Sequence, residues 1–417
     1  NYEDSEQTFV TGSNPYNYIW YSGKLWRGVS IDTSDNSVKL VTQWNISTIS
    51  YDNDSSAFDG SYMEEWLNDT SVDGFLYNLR EPEKFIKMDS KWNASMMTDS
   101  SKPPSKKDGG TIVEDPVGLL NIYEYNMSGA TNGYLYNRLY FYTLTPYSST
   151  NVKVVSFDGG QSPVFRAESR GARPVINLRP EIKVVSGDGS KENPYRLEGD
   201  NDNNLEGTKI SSRYSGEYIS FGTGENNLYR IVSHETEGLT KITSTEPLKE
   251  NGSFKTIYFD ANNSVNYSTS TTIGNFLNNE YLNSSNGYLS NNQINMIEDT
   301  STWYLGTVSG TSYKLAKYAD ETGNTTTLNI SIAPVGLLRL GELMGCQQFP
   351  NENNIDYWTL TPYSLSNTYY INKYDRMLNM SSTGINAIKP ALNLKSNVII
   401  TGGDGTLKNP FQIELAS

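Results

Sequence analysis

The sequence predicts two tandem α+β modules, each rich in β-strand and carrying two short helices. Three motifs occur twice along the 417 residues. Thr143-Leu-Thr-Pro-Tyr-Ser148 recurs from Thr359, Arg173-Pro-Val-Ile-Asn-Leu178 recurs from Lys389, and Gly187-Asp-Gly-Ser190 recurs from Gly403. The offset is 216 residues in each case, from 143 to 359, from 173 to 389 and from 187 to 403. A constant offset across separate motifs indicates duplication of a whole domain.

Further matches extend the repeat towards the start of each module. Asp115-Pro-Val-Gly-Leu-Leu120 pairs with the segment from Ala333, and Leu25-Trp-Arg27 pairs with the segment from Leu228. The offset drifts between these motifs, which indicates insertions in surface loops. The predicted division is an N-terminal segment over 1–14, expected to follow a removed anchor or signal, a first module over 15–198, an acidic Asn-rich linker over 199–212 and a second module over 213–417.

Each module is expected to begin with a hairpin and to end with strands. The first hairpin has strands 24–31 and 37–42 around a turn-rich stretch. A helix follows, because Tyr62, Trp66 and Leu67 share one face and Ser61 is a suitable cap. The rest of the first module is predicted as a helix near 81–88, a loop over 97–110, a segment from Val117 that begins as a buried strand, and strands 140–144, 152–157 and 173–178. The second module is predicted as hairpin strands 227–233 and 239–243, helices near 273–277 and 291–297, a segment from Val335 that begins as a buried strand, and strands 357–360, 368–372 and 387–394. The segments from Val117 and Val335 are each expected to turn into a short helix at their acidic residue.

Composition excludes several classes of function. The net charge is −14 and the isoelectric point is about 4.7, which argues against nucleic acid and anionic membrane surfaces as partners. A single cysteine, Cys346, permits no intramolecular disulfide and no cysteine-based metal site. A single histidine, His234, excludes a zinc site with several histidines. No apolar run approaches the length of about 18 residues that a membrane span requires.

The order of these motifs resembles an uncharacterised module common in secreted and surface proteins of low-GC Gram-positive bacteria. In that module the last two motifs typically read Trp-Trp-Leu-Arg-Ser-Pro and Gly-Val-Arg-Pro-Ala-Leu. Here they read Phe141-Tyr-Thr-Leu-Thr-Pro146 and Gly171-Ala-Arg-Pro-Val175, with counterparts from Tyr357 and Ile388. The closing strands are similar to the C-type-lectin-like fold. Modules with a trailing Gly-Asp-Gly-Thr segment resemble those of pilin-like and wall-associated proteins, which implies an extracellular location at a bacterial cell surface.

The resemblance implies an adhesin-like or ligand-binding protein without catalytic activity, associated with a pilus as a minor or tip subunit. Its expected partners are a host or bacterial surface glycan or protein and other pilus or surface-filament subunits. Two alternatives stay open: a structural subunit of a surface filament, and a secreted glycan-active enzyme. Glu64, Glu65 and Glu124 are the candidate carboxylates for an enzyme. The second module has Gly274 and Asn275 in place of the first two, which disfavours catalysis.

The candidate ligand-binding residues lie in the loops after the Thr-Leu-Thr-Pro-Tyr motif, the expected binding region of a lectin-like fold. Side chains that differ between the modules are favoured over Tyr147, which both modules retain. The predicted ligand-binding residues are Asn151 and Asp158 in the first module and Tyr363, Asn367, Tyr369, Tyr370, Tyr374 and Arg376 in the second.

No cofactor is expected, and calcium is the open alternative. Asp188, Glu192 and Asn193 place oxygen ligands around a tight glycine turn. The competing interpretation is a simple β-turn that leads into a strand. It is favoured because the matching turn from Gly403 lacks a second carboxylate.

An intramolecular Lys–Asn isopeptide bond, known in Gram-positive surface proteins, would require a buried lysine beside an asparagine and an acid. The sequence by itself does not show which side chains meet in this way.

Overall fold

The computed structural model describes residues 2–104, 112–308, 329–345 and 355–417. Cys346 and the end of the predicted loop 97–110 lie outside the described residues. The chain divides into two compact units, the first formed mainly by 1–201 with 374–376 and the second by most of the chain from 202 onwards. Strands hold 34% and helices 14% of the residues, so the fold is β-rich with few helices.

The first unit contains two main sheets and short helices. Its strands are β1 (Tyr2–Glu3), β2 (Gln7–Phe9), β3 (Tyr18–Tyr21), β4 (Lys24–Asp32), β5 (Val38–Thr42), β6 (Ser47–Ser50), β7 (Lys91–Asn93), β8 (Ile112–Glu114), β9 (Phe141–Pro146), β10 (Asn151–Val155), β11 (Gln161–Phe165), β12 (Ser169–Ala172), β13 (Val175–Leu178), β14 (Val184–Ser186) and β15 (Tyr195–Leu197). Its helices are α1 (Tyr62–Asn68), α2 (Pro82–Phe85) and α3 (Ile122–Met127).

In the larger sheet of the first unit, β4 is the central strand. Strands β2 and β3 pair with successive parts of one edge of β4, and β5 pairs with the other edge. Strand β13 follows β5, while β15 pairs in parallel with β3. The second sheet has the order β11-β10-β9-β12-β6. Leu40 and Val41 are adjacent in β5 and both fully buried, so both faces of this sheet are covered at its centre.

The second unit has a closely related set of elements. Its strands are β16 (Tyr218–Ser220), β17 (Leu228–His234), β18 (Thr240–Ser244), β19 (Lys249–Glu250), β20 (Ser253–Phe254), β21 (Thr256–Tyr258), β22 (Thr302–Tyr304), β23 (Ile330–Ile332), β24 (Val335–Gly336), β25 (Tyr357–Pro362), β26 (Asn367–Ile371), β27 (Met377–Ser381), β28 (Ile385–Ala387), β29 (Ala391–Leu394), β30 (Val398–Gly402) and β31 (Gln412–Leu415). Its helices are α4 (Thr272–Asn275), continued by a π-helical turn (Phe276–Glu280), α5 (Asn291–Met296) and α6 (Leu340–Gly345).

The two units share one strand order. The sheet β16-β17-β18-β29 corresponds to β3-β4-β5-β13, and β27-β26-β25-β28-β21 corresponds to β11-β10-β9-β12-β6. Each of the second pair of sheets contains one parallel contact, at Phe141 and Gly171 in the first unit and at Tyr357 and Ala387 in the second. These positions differ by 216 residues, the offset of the repeated motifs.

The predicted hairpins and helices are confirmed. Strands β4 and β5 pair as expected, and so do β17 and β18. The side chain of Ser61 caps α1 by accepting a hydrogen bond from the Glu64 amide, while Tyr62, Trp66 and Leu67 are buried. Strands β11 and β27 were not anticipated, because each is short and follows its neighbour after a turn that carries no strong sequence signal.

The segments from Val117 and Val335 contain less strand than expected, but the helix expected at the acidic residue of each is confirmed as α3 and α6. Ladder pairing is limited to a single bridge at Gly118 and to the two residues of β24. Each unit has a third helix among its described residues, where two helices per module were predicted. A Cβ atom at Gly118 would lie 2.4 Å from the Trp92 ring, and one at Gly336 would lie 2.5 Å from the Trp303 ring. In both units, the glycine of the Gly-Leu-Leu motif therefore allows a tryptophan ring to pack directly against the backbone.

The segment 199–212, predicted as a linker, belongs to the folded units. Asp200 is buried in the first unit, where its carboxylate lies 3.2 Å from the Arg80 guanidinium. Ile210 is buried in the second unit. Across the described ranges, each helix is too short or too polar to cross a membrane.

Candidate functional site

A buried lysine–glutamate pair occurs at the same place in both units. In the first unit, Lys39 on β5 donates a hydrogen bond to Glu124 on α3. In the second unit, Lys241 on β18 donates a hydrogen bond to Glu342 on α6. Both glutamates are 1% exposed, so each charge is compensated within the protein rather than by water.

The helix ends hold each glutamate in position. Glu124 accepts a hydrogen bond from the Asn121 amide at 3.1 Å, and Asn121 accepts one from the Glu124 amide at 2.9 Å. This reciprocal capping box uses Oε1 of Glu124 and leaves Oε2 for the lysine. In the second unit, Oε2 of Glu342 accepts from the Arg339 amide at 2.8 Å, and Oε1 binds Lys241.

An asparagine of the neighbouring strand completes each cluster. Lys39 is the direct cross-strand partner of Asn177, and Lys241 is the partner of Asn393. Residues directly opposite each other in adjacent strands place their side chains on the same face of the sheet. Each unit therefore brings a lysine and an asparagine together, with a glutamate from a helix bound to the lysine.

A buried tryptophan lies beside each lysine. The Lys39 ammonium is 5.5 Å from the centre of the Trp92 ring, and the Lys241 ammonium is 5.2 Å from that of Trp303. The indole of Trp92 donates a hydrogen bond to Asp115 O, and that of Trp303 donates to Ala333 O. The tryptophans are thus held by their own hydrogen bonds and present ring faces to the lysines.

The cluster of the first unit opens into a polar cavity. Its volume is about 360 Å³. Lysine ammonium groups, carboxylates, amides and hydroxyls line most of its wall, so a bound molecule would meet both donors and acceptors. The lining residues are Asp4, Glu6, Gln7, Ser30, Asp32, Ser34, Lys39, Lys87, Asp89, Lys91, Trp92, Asn93, Pro103, Pro104, Asn121, Tyr123, Glu124, Leu144 and Asn177.

The cluster of the second unit is more enclosed. Lys241 is 3% exposed, whereas Lys39 is 14% exposed. Asn393 is 5% exposed, whereas Asn177 is half-buried. The same constellation is therefore accessible to solvent in the first unit and largely dry in the second.

The predicted ligand-binding residues of the β25–β26 hairpin differ in exposure. Tyr369 is fully buried and packs edge-on against Tyr363 at 5.2 Å, so its ring is unavailable as a stacking surface. Tyr370 is half-buried on the opposite face, because neighbouring residues of a strand point to opposite sides. Asn367 donates a hydrogen bond to the Asn379 side chain at 3.0 Å. The hairpin thus brings Tyr363, Asn367 and Tyr369 together but buries the ring that was favoured for binding.

The other four predicted residues belong to the first unit. Asn151 begins β10 and accepts a hydrogen bond from Thr150 at 2.8 Å. Asp158 is exposed in the following turn, where it accepts from the Gly160 amide at 2.9 Å. Tyr374 and Arg376 are half-buried and group with this unit. The predicted set is therefore divided between the two units.

The predicted calcium turn has the geometry of a hydrogen-bonded β-turn. Asp188 accepts from the Ser190 amide at 2.9 Å. Hydrogen bonding to the Ser190 side chain first, and then to this amide, lowers the pKa of the Asp188 carboxyl. Asn193 receives backbone hydrogen bonds through its carbonyl, and Glu192 is exposed. Asp404 makes the same contact with the Thr406 amide at 3.0 Å in the second unit. The described residues contain no group of three or more acidic, histidine or cysteine side chains suited to a metal ion.

The carboxylates considered for catalysis lie in different environments. Glu65 is exposed, whereas Glu124 is committed to Lys39 and to the cap of α3. The pKa of Asp115 is raised to about 7, first by burial and then by the neighbouring Glu64 carboxylate, with which it shares a hydrogen bond. Paired glycosidase carboxylates are separated by roughly 5–10 Å, so this pair is closer than that chemistry requires.

Of the residues of the repeated cluster, sequence reasoning selected only Glu124, and it did so as a candidate catalytic carboxylate. Asn177 and Asn393 close the Arg-Pro and Lys-Pro motifs, and Glu124 and Glu342 follow the Gly-Leu-Leu motifs at the same distance. Their retention in both modules was the sequence signal that could have identified them. The lysines gave a weaker signal, because each lies inside a hairpin strand among residues that do not repeat.

Comparison of the chain with protein-family models, with curated proteins and with solved structures finds no significant match.

Proposed function

We propose that the chain is an extracellular, non-catalytic binding protein of a bacterial cell surface, built from two tandem C-type-lectin-like modules. The repeated β-rich architecture and the order of motifs in each module support this assignment. The observation that carries it is the polar cavity of the first unit, which lies over the Lys39–Glu124 pair.

The cavity suits a small, hydroxyl-rich ligand such as the terminal sugars of a surface glycan. Its volume of about 360 Å³ falls within the usual range of small-ligand sites, roughly 300–1,000 Å³. Trp92 and Tyr123 are 1% exposed, so recognition would depend on hydrogen bonds rather than on ring stacking. Lysines donate hydrogen bonds and carboxylates accept them, which matches the dual character of sugar hydroxyls.

A glycan-array screen of the purified chain, with and without millimolar calcium, tests the proposal. Asp89→Ala and Lys91→Ala remove exposed side chains at the cavity without disturbing the buried pair. Each is expected to weaken binding of a selected glycan at least about tenfold, equivalent to about 1.4 kcal/mol. Lys183→Ala, exposed and outside the cavity lining, is the matched control and should bind as the wild type does.

Other outcomes assign the function elsewhere. Loss of binding in Tyr370→Ala, with the cavity variants unaffected, would place the ligand on the β25–β26 hairpin. An empty array together with specific binding to another surface subunit would favour the structural filament subunit. Turnover of a glycan that Asp115→Asn abolishes would favour the enzyme.

A further inference from the structure

Lys241, Glu342 and Asn393 form a buried cluster that has the composition needed for a self-generated amide cross-link. The lysine and the asparagine are direct cross-strand partners in β18 and β29. The lysine ammonium is hydrogen-bonded to Glu342, and Trp303 lies beside it. The amine and the amide therefore lie on the same face of the sheet, and the carboxyl group bound to the amine can carry a proton.

Hydrogen bonds define the orientation of the Asn393 amide. Ser301 donates its hydroxyl hydrogen to Glu298 O at 3.1 Å, so the same oxygen accepts from Asn393 Nδ2 at 3.1 Å. Asn393 Oδ1 is buried and has no hydrogen-bond partner within the described part of the chain. The amide thus has its nitrogen anchored and its carbonyl oxygen available to accept a proton.

Exclusion of water distinguishes this cluster from that of the first unit. Water would compete with the amine for the amide carbon and would stabilise the ammonium form, which reduces the fraction of neutral, nucleophilic amine. Lys241, Glu342 and Asn393 are all at most 5% exposed, whereas Lys39 and Asn177 line the polar cavity. Reaction is therefore favoured in the second unit.

We propose that Lys241 and Asn393 become joined by an intramolecular isopeptide bond, with Glu342 as the proton carrier. Glu342 takes a proton from the Lys241 ammonium, and the neutral Nζ attacks Cγ of Asn393. The Nζ–Cγ bond forms, Glu342 passes its proton to Nδ2, and the Cγ–Nδ2 bond breaks so that Nδ2 leaves as ammonia. The surplus proton of Nζ passes to the Glu342 carboxylate, which leaves a neutral amide. No oxidant, reductant or cofactor takes part, and the product differs from the unreacted chain by one molecule of ammonia.

The cross-link would join β18 to β29, which are far apart in the sequence but adjacent in the sheet. It would close a long covalent loop within the second unit. Such a loop reduces the conformational entropy of the unfolded chain in the way that a disulfide does. The single cysteine of the chain excludes an intramolecular disulfide for this purpose.

Intact-mass measurement of the purified full chain tests this inference. The expected result is a mass lower than the sequence mass by one ammonia, with a branched peptide that contains Lys241 and Asn393 after proteolysis. Glu342→Gln keeps both reacting side chains but lacks a carboxylate to take up the lysine proton, so it should show the unreacted mass. Lys241→Arg should show it too.

The first unit supplies the matched control. Lys39→Arg makes the equivalent change in the cluster of Lys39, Asn177 and Glu124, and it should leave the ammonia loss of the chain unaltered. A wild-type mass equal to the sequence mass overturns the inference. So does an ammonia loss that persists in Lys241→Arg, because the loss would then arise from cyclisation of another asparagine. Circular dichroism of each variant verifies that folding is retained.

Discussion

Replacement of Arg173 by alanine is expected to destabilise the first unit severely. The guanidinium is 1% exposed and donates hydrogen bonds to three carbonyl oxygens, those of Thr42 at 2.7 Å, Leu135 at 2.5 Å and Gln43 at 3.2 Å. It also lies 4.8 Å from the centre of the Phe141 ring. The side chain therefore ties β5, the segment before β9 and the start of β13 together.

The magnitude follows from what the truncation leaves behind. Each hydrogen bond from a charged donor contributes about 1.5–3 kcal/mol, and such contributions are not additive within one network. Arg173→Ala would leave three buried carbonyls without this donor and would create a cavity. An unsatisfied buried carbonyl costs about 1–3 kcal/mol, so with non-additivity we expect a total loss of about 3–5 kcal/mol. This is a large part of the stability of an ordinary domain, about 5–15 kcal/mol.

Arg173→Lys is a more conservative test of the same contact. The second unit carries Lys389 at the equivalent position, where its ammonium lies 4.9 Å from the centre of the Tyr357 ring. A lysine is therefore compatible with this fold, but its single ammonium cannot reproduce the planar fork of arginine. We expect Arg173→Lys to cost about 1–3 kcal/mol, between the wild type and alanine.

Urea unfolding followed by tryptophan fluorescence measures both variants. Five of the seven tryptophans lie in 1–201, so fluorescence mainly reports the first unit. Lys102→Ala is the control, because that side chain is 76% exposed and forms only a surface ion pair; its effect should be within about 0.5 kcal/mol. A change below about 1 kcal/mol for Arg173→Ala would refute the reasoning, since the carbonyls would then be satisfied without the guanidinium.

Two further predictions concern packing and pH. Gly336→Ala should destabilise the second unit by about 1–3 kcal/mol, because the added Cβ would lie 2.5 Å from the Trp303 ring; urea unfolding measures this, and a neutral result would show that the tryptophan moves freely. Asp115→Asn should reduce the pH dependence of stability. A carboxyl whose folded-state pKa is raised to about 7 contributes stability below its ordinary pKa near 4, and this contribution is lost as the pH rises through 7. The difference between the two pKa values corresponds to at most about 4 kcal/mol of stability, and to less for a partly exposed group. Thermal melts at pH 5 and pH 8 should therefore show a smaller loss of stability for the variant than for the wild type. Equal losses of stability would contradict the raised pKa of Asp115.

Local patterns explain why the hairpins and first helices could be predicted. Strands β4 and β5 flank a turn-rich stretch, and Ser61 directly precedes α1, the position from which a serine caps a helix. At Val117 and Val335 the helix at the acidic residue was predicted correctly, but the strand before it was overestimated, because a short apolar run suits a buried strand and a buried turn equally. The close approach of Trp92 to Gly118 and of Trp303 to Gly336 depends on residues distant in the sequence.

Binding residues were harder to predict than scaffold residues. Tyr369 and Tyr370 are adjacent in the sequence and chemically identical, yet only Tyr369 lies in the core. The face of the sheet to which each tyrosine points follows from the register of β26 against β25, which includes an irregularity between Trp358 and Pro362. A one-residue change in register reverses which side chain is buried, so composition alone could not separate the two.

The sequence by itself determined the duplication, the β-rich class and the positions of the hairpins, because these depend on motif spacing, alternation and turn residues that act locally. Only the tertiary structure decided that Lys39 faces Asn177, that Lys241 faces Asn393 and that a helix supplies a glutamate to each lysine. Cross-strand pairing between distant segments is decided by how the whole core packs, and burial is a property of that packing. The same residue types thus line an open polar cavity in one unit and form an enclosed, buried cluster in the other.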